Sequence, residues 1–136
     1  MTNYRSTVWV VAAAIVNAQG MVLMQRRRLD RDHGGLWEFP GGKVEPAETP
    51  AQSLCREIAE ELGLTIVPAD LTPVSFAAGA DGPHVILLYL CRDWSGEPAC
   101  LDGEEIAWFA PTDIPGLDLP PLDIPLAQAL LNQIKR

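Results

Sequence analysis

Residues 7–17, TVWVVAAAIVN, are almost wholly apolar up to a turn at Asn17-Ala18-Gln19-Gly20, the pattern of a buried strand. Residues 21–26 supply its hairpin partner. A polar loop over residues 29–35 follows, and Glu38-Phe39-Pro40 reads as one short strand. Residues 71–78 and 84–92 read as two further strands, joined through Gly79-Ala80-Asp81-Gly82-Pro83, and residues 105–109 as another. Two segments change to a helical pattern, residues 50–62 and 125–135. Strands with one helix after the middle and another at the end predict an α/β (α+β) fold, a mixed sheet covered on both sides.

The first helix is strongly specified. Thr49 is a good N-cap, Pro50 suits the first helical position, Gln52 sits where a capping-box partner belongs, and Gly63 is a natural stop. Ala51, Leu54, Cys55, Ile58 and Leu62 form an apolar stripe. Beside it Glu57, Glu60 and Glu61 fall at i, i+3 and i+4, so the three carboxylates point the same way. Three like charges destabilise a bare helix, but they suit a hard divalent cation that takes carboxylate and phosphate oxygens. A solvated acidic face is the alternative; it has no need of the preceding Gly-Gly, of Glu48 or of the embedded Arg56. Pro40-Gly41-Gly42 predicts a sharp turn where backbone approaches a ligand closely and a carbonyl serves as a further ligand.

The chain has 136 residues, enough for one domain (1–136) with a full core. No apolar stretch reaches membrane-spanning length, and no signal-peptide pattern opens the chain. Cys55, Cys91 and Cys100 are odd in number and lack metal spacing; Cys55 and Cys91 read as buried thiols, which fits a cytoplasmic protein. A net charge of −8 argues against binding a nucleic-acid polymer, but not against a nucleotide that arrives with its cation.

Residues 42–64 run Gly, five residues, Glu48, seven residues, Arg56-Glu57, an aliphatic, any residue, Glu60-Glu61, any residue, Gly63 and an aliphatic. That spacing resembles the Nudix box with every position filled. Trp37-Glu38-Phe39-Pro40-Gly41-Gly42-Lys43, Trp94-Ser95-Gly96-Glu97-Pro98 and a Pro-Pro segment before the last helix extend the likeness to the MutT-type nucleoside-triphosphate pyrophosphohydrolases, over most of the chain. The resemblance implies the Nudix fold, a mixed sheet sandwiched between helices. It implies Mg²⁺, with Mn²⁺ as an alternative, held by Glu57, Glu60, Glu61 and the Gly41 carbonyl. Glu57 is also the family's candidate general base, and ligand and base are not separable by spacing.

Around that cluster, Glu48 and Arg56 are suited to a charge-assisted contact that holds the loop and orients Glu57, or to a purely structural pair. For a further metal-linked carboxylate Asp102 aligns best, with Glu104 and Glu105 as competitors and a solvated acid as the alternative. Among Arg26, Arg27, Arg28 and Arg31, matching to the family pattern favours Arg27 for phosphate, and Lys43 is a weaker candidate. His84 reads as a strand-edge residue. Phe39 lines the base pocket by resemblance, or simply packs in the core. Asp123 falls where the resembling proteins carry a base-reading Asn; alternatively it caps the last helix. An ionised Asp only accepts and suits an exocyclic amine, as on cytosine or adenine, whereas 8-oxoguanine needs a protonated Asp raised by burial.

The expected activity is Mg²⁺-dependent hydrolysis of (deoxy)nucleoside triphosphates, led by 8-oxo-dGTP, to the monophosphate and pyrophosphate, by a monomer or homodimer. CTP, dCTP, 5-hydroxy-pyrimidine nucleotides and dinucleoside polyphosphates are alternatives. From other classes, a non-catalytic Nudix-like binding module has little use for the full set of Glu57, Glu60, Glu61 and Arg56, and an acidic interaction domain lacks a legible apolar patch.

Overall fold

The computed structural model describes residues 6–79 and 82–134. Ala80 and Asp81 of the expected turn, and Lys135 at the expected end of the last helix, lie outside the described residues. The strands are β1 (Val8–Val16), β2 (Val22–Arg26), β3 (Trp37–Glu38), β4 (Gly41–Lys43), β5 (Leu71–Ala78), β6 (His84–Cys91) and β7 (Glu105–Phe109). The helices are α1 (Pro50–Leu62) and α2 (Asp123–Ile134), with short 3₁₀ turns at Pro68–Asp70 and Pro111–Gly116.

One mixed sheet is formed, in the order β3-β2-β1-β6-β5, with β4 also on β1 and β7 also on β2. The β1–β6 pair is parallel and the others are antiparallel. Because β1 has neighbours on both edges and helices on both faces, its apolar run needs no polar interruption. Alternate residues serve the two faces. Val11, Ala13 and Ile15 join Leu23, Leu54, Ile58 and Leu62 in a core under α1. Ala12, Ala14 and Val16 join Val22, Met24, Leu126 and Leu130 in a core under α2. The predicted sandwich is therefore the observed one.

What positions the site is a split in this sheet. β1 and β2 pair only at Ile15↔Leu23 and Val16↔Val22. Beyond that point β3 continues along β2 (Gln25↔Glu38) and β4 along β1 (Val11↔Gly42), so residues 37–43 line the widening gap. Here the structure departs from expectation: Trp37–Glu38 is the short strand, not Glu38-Phe39-Pro40, and Gly41–Lys43 is a strand where a sharp turn was predicted. The reason is local. Phe39 gives its N–H to the Asp123 carboxylate, and Pro40 has none to give, so pairing with β2 stops and resumes on β1. Only glycine can follow, because a Cβ on Gly41 would land on the Val11 carbonyl oxygen.

The bounds of α1, β5 and β7 match the sequence reading; β2 and β6 differ from it by one residue at one end, and β1 by one residue at each end. α2 begins at Asp123 rather than Pro125. Pro125 lies in the first turn, where its missing N–H costs nothing. Cys91 is buried as expected, whereas Cys55, on the flank of α1, is only half-buried, and Cys100 is exposed.

Candidate active site

The acidic cluster depends on how α1 is started and stopped. Thr49 Oγ1 accepts from the Gln52 N–H at 3.2 Å, and Gln52 Oε1 accepts from the Thr49 N–H at 2.9 Å. Gly63 ends the helix at φ 71°, a left-handed conformation that favours glycine. These limits place Glu57, Glu60 and Glu61 in one cleft of about 870 Å³, together with the glycine strand.

Arg56 organises the acidic wall from behind. Its Nε and Nη2 donate to the two Glu48 oxygens, Oε2 and Oε1, each at 3.0 Å. Its Nη1 donates to Glu57 Oε1 at 2.8 Å and reaches Glu60 Oε1 at 3.5 Å, while Nη2 also meets the Lys43 carbonyl at 3.3 Å. Glu48 takes a further bond from Ser53 Oγ at 2.7 Å, and Ser53 in turn accepts from the Glu45 N–H at 3.3 Å. The hydrogen bonds from Arg56, then Ser53, hold the Glu48 carboxyl down at about 2. Thus Glu48 and Arg56 stand behind the cleft, tying the loop to α1 and aiming Glu57. A lysine at position 56 retains charge but not the fork. Arg56→Lys is therefore expected to lower kcat roughly 10–100-fold with a smaller change in KM, checked by steady-state kinetics beside a thermal melt.

Gly42 completes the seat of Glu57, since a Cβ there would meet the Glu57 carboxylate itself. Burial pushes the Glu57 carboxyl up, opposed by Arg56 and aided by Glu60 and Asp102. Glu61 is buried, and desolvation carries it to about 8; Gln25 Nε2, donating at 3.2 Å to Oε2, pulls it down, while Glu57, Glu38 and Asp102 push it up. Asp102 reaches the same cleft because Leu101 donates to the Glu61 carbonyl (3.0 Å) and Glu104 to the Arg26 carbonyl (2.9 Å). Glu105 lies on β7 and pairs with Arg26 at 3.3 Å, and neither it nor Glu104 lines the cleft. Among the described residues, no three acidic, His or Cys side chains are gathered tightly enough to clasp an ion as they stand. Arg56 takes up one oxygen of Glu57 and Gln25 one oxygen of Glu61. The donor set is nonetheless all oxygen, partly desolvated and mutually repelling, which fits Mg²⁺ or Mn²⁺ and suits no softer ion.

The opposite wall is less charged. Phe39 is buried in the α2-side core, and its edge of the cleft continues through Asp123, Leu122 and Ile86, with His84 beside them. Asp123 is buried; its Oδ2 accepts from the Phe39 N–H at 3.1 Å, across the fold rather than within its own helix. Desolvation raises its carboxyl to about 7, the Phe39 N–H opposes this, and Glu38 adds to it. Arg27 and Lys43 also line the cleft. Arg27 donates through Nη1 to Glu38 at 2.9 Å and through Nε to the Asp32 carbonyl at 2.7 Å. Arg28 pairs instead with exposed Asp30 at 2.8 Å.

Residues 6–131 match the family model described as the NUDIX domain. The chain belongs to the Nudix family. It is a MutT-like Nudix hydrolase, 35% identical to the CTP pyrophosphohydrolase of Escherichia coli, over 89% of this chain and 90% of that one. It is 32% identical to the 8-oxo-dGTP diphosphatase of Haemophilus influenzae, over 95% of each chain. A MutT structure from a comparison of the Aliivibrio salmonicida and Vibrio cholerae proteins superposes with a TM-score of 0.82 at 26% identity, over 94% of this chain and 99% of that one. With the enzyme class shown, the reading as a non-catalytic module is set aside. Among the described residues, no helix of this Nudix hydrolase is long and apolar enough to cross a membrane.

Three polar residues of this Nudix hydrolase escape a sequence reading. Glu38 lines the cleft and holds Arg27, Ser53 braces Glu48, and Gln25 holds Glu61. Gln25 had one signal, a lone polar residue ending the apolar run Val22-Leu23-Met24. Ser53 had none, being an ordinary helix residue between Gln52 and Leu54.

Proposed function

We propose that this enzyme hydrolyses (deoxy)nucleoside triphosphates to the monophosphate and pyrophosphate, with 8-oxo-dGTP as the leading substrate and sanitation of the nucleotide pool as its role. The observation that carries this reading is one cleft with two unlike walls: carboxylates on one side, and buried Phe39 and Asp123 on the other. Its volume suits a nucleotide. Glu57, Glu60, Glu61, Asp102 and the Gly41 carbonyl would hold Mg²⁺ or Mn²⁺. Such an ion supplies charge neutralisation at phosphoryl oxygens and a more acidic water.

The chain's own residues supply the rest. Glu57, turned by Arg56, accepts the proton of the attacking water as its oxygen bonds to phosphorus and the phosphoanhydride bond breaks. Arg27, already fixed by Glu38, offers its remaining guanidinium edge to phosphate, and Lys43 adds charge at the rim. Phe39 packs on the base and Asp123 reads its edge. A carboxyl near 7 is protonated in part at neutral pH, so Asp123 both donates and accepts, as 8-oxoguanine requires. A second reading, CTP or dCTP, is favoured by the ionised form of the same residue and by the likeness to a CTP pyrophosphohydrolase.

The test is kcat/KM with Mg²⁺ for 8-oxo-dGTP, dGTP, CTP, dCTP and 5-hydroxy-dCTP, read as pyrophosphate release. A preference for 8-oxo-dGTP over dGTP on the order of 100-fold or more is expected. A cytosine preference would replace the leading substrate with the second. Pyrophosphate release from none of them, or release indifferent to a chelator, would overturn the metal-dependent reading.

A further inference from the structure

Gln25, the next-to-last residue of β2, lies on the face that Leu23 turns toward α1, with 2% of its surface exposed. Its Nε2 donates to Glu61 Oε2 at 3.2 Å, and its buried Oε1 meets no partner among the described residues. Opposite an ionised Glu61, the form that would hold a cation, the reverse amide orientation would set two acceptors against each other. On the other side lies the loop that carries Asp102. A Cβ on Gly103 would stand 2.6 Å from Gln25 Cγ and 3.0 Å from its Cδ. Gln25 thus fills the space between a helix carboxylate and the backbone next to a loop carboxylate. Packing alone does not explain an amide here. A methionine of similar volume would fill the space without burying a bare acceptor, which is costly.

We propose that Gln25 is a positioning residue for the cation-binding carboxylates: it holds one oxygen of Glu61, leaves the other to the cleft, and sets the reach from Glu61 to Asp102. This rests on the metal-dependent reading above. It explains why a strand whose preceding residues serve the core carries a buried amide beside its end.

The experiment is calorimetric titration of Mg²⁺, and separately Mn²⁺, into the full chain, for wild type, Gln25→Met and Gln25→Asn. Methionine fills the space without a donor; asparagine keeps the amide one methylene short. Each variant is expected to bind Mg²⁺ roughly 10–100-fold more weakly and to lose kcat more than it changes nucleotide KM. The metal-free thermal midpoint of Gln25→Met should stay within a few degrees of wild type, because a purely structural residue would move the midpoint and not the affinity. Wild-type Mg²⁺ affinity in either folded variant would overturn the proposal, as would unfolding of both. If only the methionine variant fails to fold, the asparagine variant decides. A wild type that binds no divalent cation sinks the metal-dependent reading itself. One that binds it no better than its variants sinks only the role of Gln25.

Discussion

Glu57→Gln should release pyrophosphate roughly 10²–10⁴-fold more slowly than wild type, the range expected when a general base is removed. The change is nearly isosteric. The amide oxygen can still accept from Arg56 Nη1, and Gly42 leaves room for the group. The fold should therefore survive. The metal-free variant should be as stable as wild type or more so at neutral pH. Burial, Glu60 and Asp102 all disfavour the Glu57 anion, and an amide carries no charge to disfavour. Activity would fall while the melting temperature holds or rises, the opposing movement expected where a site is built at the expense of stability. Near-wild-type turnover in a well-folded variant would remove Glu57 from the chemistry.

Asp123→Asn carries the second large effect, and it is a function of pH. The Asp123 carboxyl is raised from 3.8 to about 7 in the folded chain, so the folded state holds a proton that the unfolded state has released. The stability from that proton is fully present below about pH 4 and is lost as pH rises through about 7. An asparagine has no such dependence. Relative to wild type, the variant should gain stability as pH rises from about 4 to about 7, on the order of 3 kcal/mol in all, and little more above that. Melts at a series of pH values check this, and parallel curves for the two proteins would refute it. Base selection should move as well. An Asn can keep the Phe39 N–H on its oxygen and present its NH₂ to the cleft. That favours the O6 acceptor of 8-oxoguanine over the amine of cytosine. Unchanged selectivity would leave Asp123 with a structural task only.

Local signals in the chain were sharp where they acted within a few residues. Thr49, Gln52 and Gly63 delimit α1 because capping is satisfied within one helical turn. The Glu48–Arg56 contact was legible because loop and helix are adjacent in the chain. What could not be read depends on distant partners. The split between β1 and β2 and the glycine strand inside it follow from Phe39 spending its N–H on a residue 84 positions away. That Asp102 lines the cleft while Glu104 and Glu105 do not follows from backbone bonds to Glu61 and Arg26. The state of Asp123 is made by burial beneath α2, which spacing alone does not convey.

Among the described residues the two cores lie on opposite faces of the sheet, with the helix carboxylates on the α1 side and Phe39 and Asp123 on the α2 side. A change beside Phe39 or Asp123 is expected to repack residues around Leu126 and Leu130, which belong to a different core from Leu54 and Ile58. On the proposed function, reaction and recognition are therefore heritable as nearly separate traits. Descendants of such a chain can explore new nucleobases by drift in the second helix and the segment before it, while the bond-breaking half stays under unbroken selection.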